Sequence, residues 1–398
     1  MTHALIAGGG IAGLTTAIAL QKAGLTSVVY EAYPAGVDHR GAFLSLFANG
    51  IDALRAIDAH RPVLDLSFPA ERVEFTDGTG KQLGEARLAR DDFGALPGPR
   101  TLRRADLCRA LYGQAVSRGI RIEHGKRLAT ATTTPQGRVV AAFADGSTAD
   151  GDLLIGADGV RSAVRRLIDS SAPIAKYTGE DVVCGYARKP PVVAPPETFR
   201  MIYGKRAFFA YLTTPDGDTW WFTNIPGAEP ANERATATTP AQWRQRAVEH
   251  LLGEQGPGVE LIQSTGDDVV GIHVYDVEST PVWYAGPMIV IGDAAHVASP
   301  NAGHGAAMAI EDAVVLAKCL RDLPHGWPAF SRYEQLRRDR VERLVTTSAR
   351  MRRRAIPAPL QRVFRDFMLP RLLKRGPRNA APWLTRHHID WDESLLAD

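Results

Sequence analysis

Residues 4–31, ALIAGGGIAGLTTAIALQKAGLTSVVYE, compress a strand, a glycine turn, a helix and a second strand into one short unit, and few folds accommodate that order. Gly8, Gly10 and Gly13 carry the spacing G-x-G-x-x-G, directly after the apolar run 4–7 and directly before a helical pattern over 11–23. The first glycine permits the tight turn, the second leaves room for a pyrophosphate, and the third lets helix and strand pack closely. The unpaired N–H groups where the helix starts, at Ile11 and Ala12, then face the phosphates. Ile11, Leu14, Ile18 and Leu20 supply apolar positions for packing on a sheet, Gly24 is placed to end the helix, and 27–30 form the next strand. Glu31 closes that strand 18 residues past Gly13, where a carboxylate accepts hydrogen bonds from the hydroxyls of an adenosine ribose. Such a bond contributes roughly 1.5–3 kcal/mol and the same charge repels a 2′-phosphate, so the unit predicts NAD or FAD in preference to NADP.

With 398 residues the chain has room for two or more domains, and 45% hydrophobic with 23% charged residues is ordinary globular composition. The net charge of +3 is mild, and no nucleic-acid-binding pattern accompanies it, so nucleic acid is not an expected partner. Cys108, Cys184 and Cys319 are odd in number and far apart, which predicts reduced core residues rather than disulfide partners or metal ligands. No signal-peptide pattern opens the sequence, and no apolar run approaches the roughly 18 residues that span a bilayer; a cytoplasmic protein without membrane insertion is expected.

Along the chain, 42–47 has strand character and a helix follows Asn49-Gly50. Arg40 stands before that strand, either solvated or a ligand to a pyrophosphate or ribityl chain. Residues 61–100 read as an excursion from the first domain, with a strand over 71–75. Helix is expected over 102–118, and Arg104 near its start is electrostatically misplaced unless an anionic or hydroxyl-rich partner lies outside the helix. Residues 121–150 read as a three-stranded antiparallel meander leading into DGDLLIGADGVRSAVRRLI, a buried strand, a tight turn at Asp158-Gly159 and a helix. Between 176 and 270, runs rich in Tyr, Phe and Trp predict an antiparallel sheet able to wall an apolar pocket, with a hairpin at Asp216-Gly217. In PMIVIGDAAHVASPNAGHGAAMAIEDAVVLAKCL, a buried strand ends at Gly292-Asp293, a loop runs from Pro300 through Gly303 to Gly305, and a long helix begins near Ala306. Glu311 and Asp312 are expected to complement the dipole of that helix, and the arginines of 331–354 to form a solvated face.

Together GGGIAG with Glu31, LIGADGVRSAVR with Asp158-Gly159, and IGDAAHVASPNAGHGAAMAIEDA with Gly292-Asp293 resemble the motifs of single-component FAD-dependent aromatic hydroxylases, the class A flavoprotein monooxygenases of the para-hydroxybenzoate hydroxylase fold. The resemblance implies an α/β chain: a Rossmann-like FAD-binding domain (1–75, 101–175 and 271–345), an inserted antiparallel-sheet substrate domain (76–100 and 176–270), and a C-terminal helical segment (346–398). It implies that Glu31 holds the adenosine ribose, Arg40 and Arg104 the phosphate and ribityl region, Leu128 the adenine through its backbone, and Asp293 the ribityl hydroxyls. Pro300, Gly303, Gly305 and Ala306 would then approach the isoalloxazine, and Asp158 would lie in the motif linked to FAD and NADPH. His304 and 297–299 depart from the family's usual residues.

The implied reaction uses non-covalent FAD, NADPH or NADH, and O2 to insert one oxygen atom into a small aromatic or polycyclic molecule through a flavin C4a-hydroperoxide, in a monomer or homodimer. Tyr186, Tyr203, Tyr211 and His273 are candidates for a base, with none preferred, and no metal site is expected. Three alternatives stay open: a flavin-dependent halogenase, since WFTNIP partly matches that group's tryptophan motif; an FAD-linked reductase; and a non-catalytic flavin- or ligand-binding protein.

Overall fold

A computed structural model describes residues 2–34, 41–88, 98–230, 238–277, 279–298, 303–355 and 382–396. Its central layer is a six-stranded sheet of β1 (His3–Ala7), β2 (Thr26–Tyr30), β8 (Arg121–Glu123), β12 (Leu153–Gly156), β18 (Tyr284–Ala285) and β19 (Met288–Val290), ordered β18-β19-β12-β1-β2-β8. All pairings are parallel except β18 with β19. Both faces of such a sheet must be covered, which is why 4–7 and 153–156 are continuous apolar runs. Helices α1 (Ile11–Lys22) and α8 (Gly305–Asp322) pack in the same core as these strands, with α2 (Ala48–Ala56), α3 (Arg61–Asp65), α4 (Arg104–Ser117) and α5 (Ala163–Ile168) around them.

The predicted meander is β9 (Leu128–Thr133), β10 (Val139–Phe143) and β11 (Thr148–Gly151). Arg121–Glu123, expected to belong with it, instead extends the parallel sheet beside β2. The helix expected from Leu102 begins at Arg104, because Arg100–Arg103 forms strand β7 between β3 (Phe43–Leu46) and β4 (Phe68–Pro69).

The second large layer contains seven strands in the order β17-β13-β16-β15-β14-β5-β6: β17 (Val269–Asp276), β13 (Lys176–Ala187), β16 (Thr219–Pro226), β15 (Phe208–Thr213), β14 (Thr198–Tyr203), β5 (Arg72–Asp77) and β6 (Gln82–Arg87). It is antiparallel but for one pairing, β14 with β5, where the early excursion docks onto the later strands. The boundaries expected at 75/76 and 270/271 therefore fall inside β5 and β17. Period-two alternation gives the sheet two apolar faces. Val183, Phe209, Tyr211 and Trp221 meet α6 (Pro240–Leu251) and α7 (Gly258–Ser264), two helices that the aromatic strand pattern does not predict. Tyr186, Phe199, Leu212 and Trp220 meet Phe43 of β3.

The arginine-rich helix is α9 (Trp327–Ala355), followed in the described chain by a short helix at Pro382–Thr385. Its expected solvated face needs correction: Arg337 is fully buried. No described helix is long and apolar enough to cross a membrane.

Candidate cofactor and substrate site

Parallel pairing places the three sequence motifs side by side. Ala7 is in register with Gly156 and Tyr30, and Gly156 with Val290, so the Gly8 turn, Asp158, Glu31 and Asp293 all follow the carboxyl ends of adjacent strands. That is where open α/β sheets bind ligands.

The glycines divide by role. Gly8 has φ +105°, and a Cβ there would lie 2.4 Å from the Ala157 carbonyl oxygen; at Gly13 it would lie 1.9 Å from the Gly8 oxygen. Both are required for the turn itself. Gly10 differs, since the nearest atom to an added Cβ is Arg104 Nη2 at 4.0 Å. Space rather than protein therefore lies before the start of α1, and no side chain caps that helix. Ile11 is buried beneath it, and Ala12 packs towards Gly292. An uncapped N-terminus beside an arginine suits a pyrophosphate.

Glu31 is tied to the same turn: Gly9 N–H donates to Oε2 at 2.6 Å and Tyr33 N–H to Oε1 at 2.9 Å. Lys126 N–H donates to the Glu31 carbonyl at 2.8 Å, which brings the start of β9, with Leu128, to the end of β2. Arg104 is the first residue of α4; Gly41, without a side chain, passes against it. Asp293 lies in a one-turn 3-10 helix, Gly292–Ala294, as an exposed residue, and no described residue donates a hydrogen bond to its carboxylate. Dense surroundings still hinder its hydration, so its carboxyl is raised above the usual range, with His296 and Arg104 opposing that rise. A carboxylate both accessible and hemmed in marks a recess rather than an open surface.

Asp158 plays a local part that the motif does not reveal. Ser162 Oγ donates to Oδ1 at 2.5 Å, and Ala163 N–H to Oδ2 at 2.7 Å, so Asp158 and Ser162 together hold the start of α5. Gly303 adopts φ +67°, and a Cβ on it would lie 3.9 Å from the Phe47 ring; Gly305 has open space at the first turn of α8, where Ala306 follows. His304 stacks on Phe47 with centroids 4.1 Å apart. Arg40 and Pro300 lie outside the described residues.

The aromatic wall is directed by Phe43, whose ring is 5.6 Å from Trp220, 5.8 Å from Phe222 and 6.2 Å from Tyr186. Phe208, Tyr203 and Phe75 continue it. One polar pair interrupts the wall, Asn224 Nδ2 donating to Glu180 Oε1 at 3.0 Å. Of the candidate bases, Tyr211 belongs to the opposite face, and His273 pairs there with buried Asp181 at 2.7 Å, beside Trp243. Tyr186 donates its hydroxyl to the Gly41 carbonyl at 3.0 Å beneath the Arg103 guanidinium, and burial raises its pKa far above the phenol range, so it stays protonated. Tyr203 alone of the four is a partly exposed member of the wall.

The expected cysteine placement holds: all three are buried and none is in a disulfide, and burial pushes the thiols of Cys184 and Cys319 up to about 12. Glu311 and Asp312 are structural, but for a different reason from the one expected. They sit beyond the first turn of α8, fully buried, and bind Arg337 at 2.6 and 2.7 Å. Sequence periodicity does not reveal that ion pair, nor Phe43 as the link between layers.

A family model described as FAD binding domain matches residues 1–348. The chain is 29% identical over 358 residues to aurachin C monooxygenase/isomerase of Stigmatella aurantiaca, covering 87% of this chain and 88% of that one. It is 29% identical over 349 residues to FAD-dependent urate hydroxylase of Klebsiella pneumoniae, covering 86% and 87%. The crystal structure of Klebsiella pneumoniae HpxO complexed with FAD and uric acid superposes with a TM-score of 0.82 at 26% identity, over 93% of each chain. With three motifs at adjacent strand ends and an aromatic sheet beside them, the chain belongs to the FAD-dependent flavoprotein monooxygenases of the para-hydroxybenzoate hydroxylase fold.

Proposed function

We propose that the protein uses NADPH or NADH and O2 to insert one oxygen atom into an aromatic or polycyclic small molecule. The observation that carries this reading is the docking of Phe43 against the aromatic face of the seven-stranded sheet, two residues from Gly41 and its neighbour Arg104. That contact brings an apolar wall next to the cofactor cleft.

In this reading Gly8, Gly10, Ile11, Ala12 and Gly13 frame the pyrophosphate, Glu31 the ribose, Leu128 the adenine, and Arg104 and Asp293 the diphosphate-to-ribityl stretch. Gly303, Gly305 and Ala306 border the ring, and Asp158 keeps α5 in place at the cleft's rim. Arg40 and Pro300 are assigned by sequence alone. The open space beside Gly10 and the recessed carboxylate of Asp293 fit FAD. A flavin held there would supply the redox chemistry that side chains lack, linking a nicotinamide reductant to O2. The chain's task is orientation and dryness: Phe75, Phe208, Trp220 and Phe222 exclude water from the substrate side. The kinship with a monooxygenase/isomerase and a urate hydroxylase supports oxygen transfer to a ring compound.

The test is NADPH and NADH oxidation and O2 uptake by the purified protein with a panel of phenolic and fused-ring compounds, with labelled O2 followed into product. One labelled oxygen atom in the product is expected. Ligand-stimulated oxidation with no label in any product refutes oxygen insertion. Asp293→Ala should yield largely FAD-free protein, and full flavin content would refute the role given to that carboxylate.

A further inference from the structure

Asp293 has no described hydrogen-bond partner for its carboxylate, so its aim depends on the backbone that carries it. That backbone is held at both ends. On one side, Gly292 N–H donates to Asp312 Oδ2 at 2.9 Å, and His296 Nε2 lies 2.5 Å from the same oxygen. Oδ1 of Asp312 accepts from Arg337 Nε at 2.7 Å, and Arg337 is fixed in turn by Glu311 at 2.6 Å. On the other side, Arg165 Nη1 donates to the Ala294 carbonyl at 2.9 Å, while its Nη2 donates to the Val160 carbonyl at 2.7 Å. Arg165 is 2% exposed and Asp312 fully buried. Gly292 adopts φ +55°, and a Cβ there would lie 3.1 Å from Ala12 Cβ and 3.3 Å from Ala309 Cβ. The turn is thus confined between α1 and α8 and cannot slide to recover a lost contact.

We propose that Asp312 and Arg165 are positioning residues for Asp293: they clamp its turn from opposite ends, and so set flavin affinity without touching the flavin. This rests on the assignment of Asp293 to the cofactor. It also gives the second motif a duty towards the third, since Arg165 joins the chain after Asp158 to the turn after β19. Both clamps carry charge, which makes each bond stronger than a neutral one and more sensitive to substitution.

The experiment is a double-mutant cycle on FAD dissociation, read by flavin fluorescence on full-length wild type, D312N, R165K, D293A, D312N/D293A and R165K/D293A. In the wild-type background D312N and R165K should each weaken FAD by about tenfold or more, and in the D293A background by less than about threefold, because coupled neighbours are non-additive. An equal fold-change in both backgrounds would mean that the clamps act on the fold in general and would overturn the proposal, as would wild-type affinity in D312N and R165K. If D312N does not fold, the R165K cycle decides alone, since lysine keeps the charge but gathers its donors on one nitrogen instead of the two that Arg165 spreads between the Ala294 and Val160 carbonyls. FAD affinity unchanged in D293A would instead remove the premise and identify the site reading as the error.

Discussion

Arg337→Met tests the buried charge cluster most directly. The guanidinium is fully buried and serves two buried carboxylates, Glu311 at 2.6 Å and Asp312 at 2.7 Å. Methionine fills similar space but leaves both acids without that cation. Removing one partner from a buried ion pair costs about 3–5 kcal/mol, because the survivors keep their desolvation penalty. Arg340 still reaches Glu311 at 2.8 Å, and His296 and Gly292 N–H still reach Asp312, so the lower end, about 3 kcal/mol, is expected here. The pH dependence offers a second handle. Burial alone would raise the Glu311 carboxyl, but Arg337 and Arg340 outweigh it and hold it at about 2 against an ordinary 4.5. That gap is worth about 3 kcal/mol. The folded-state value is depressed, so the stabilisation is fully present above pH 4.5 and is lost as pH falls towards 2. Without Arg337 the folded value rises, and acid unfolding should begin at higher pH than in wild type. Urea denaturation of the holoprotein near neutral pH, with an acid titration followed by circular dichroism, measures both. A loss below about 1 kcal/mol, the size of a surface pair, together with an unmoved acid midpoint would refute the reasoning.

Two further substitutions separate folding from binding in the glycine turn: Gly8→Ala should destabilise the protein through its left-handed φ and the 2.4 Å approach to Ala157, whereas Gly10→Ala should leave the melting temperature nearly unchanged and weaken FAD binding. Comparing thermal melts without added FAD against flavin titrations checks both, and a Gly10→Ala protein with wild-type affinity would contradict the pyrophosphate placement. Thr239→Ala removes a reciprocal cap in which Thr239 Oγ1 accepts from Gln242 N–H and Gln242 Oε1 accepts from Thr239 N–H. A stability loss of about 1 kcal/mol with unaltered FAD affinity is expected from paired denaturation and binding curves.

How much of the molecule is legible in its sequence depends on the range of the interactions. The strand, turn and helix of 4–31 are local, and G-x-G-x-x-G with Glu31 expresses them within one stretch. The third motif is equally legible because strand, turn and helix again succeed one another. The partners of Arg337 lie 25 and 26 residues away on another helix, and nothing in the pattern of α9 distinguishes this arginine from the exposed Arg343 further along it. The parallel pairing of β14 with β5 joins Thr198 to Arg72, a contact no local periodicity encodes. Helix α6 is a different case: Thr239-Pro240 followed by Gln242 is a helix-start signature, present in the sequence but masked by the aromatic strands around it.

The order of the parallel sheet has a consequence for biosynthesis. β12 must accept β19 on its open side, and the chain between Gly156 and Met288 contains most of the second layer. At ribosomal rates of about 5–20 residues per second, that edge waits roughly 7–26 s before its partner is made. Throughout that interval the nascent chain carries the glycine turn and Glu31 but lacks Asp293, and an unpaired strand edge is a site for wrong pairing. Under the proposed assignment, the cofactor's two halves would be recognised by parts of the chain born at different times, and the cleft would exist only once translation is mostly complete.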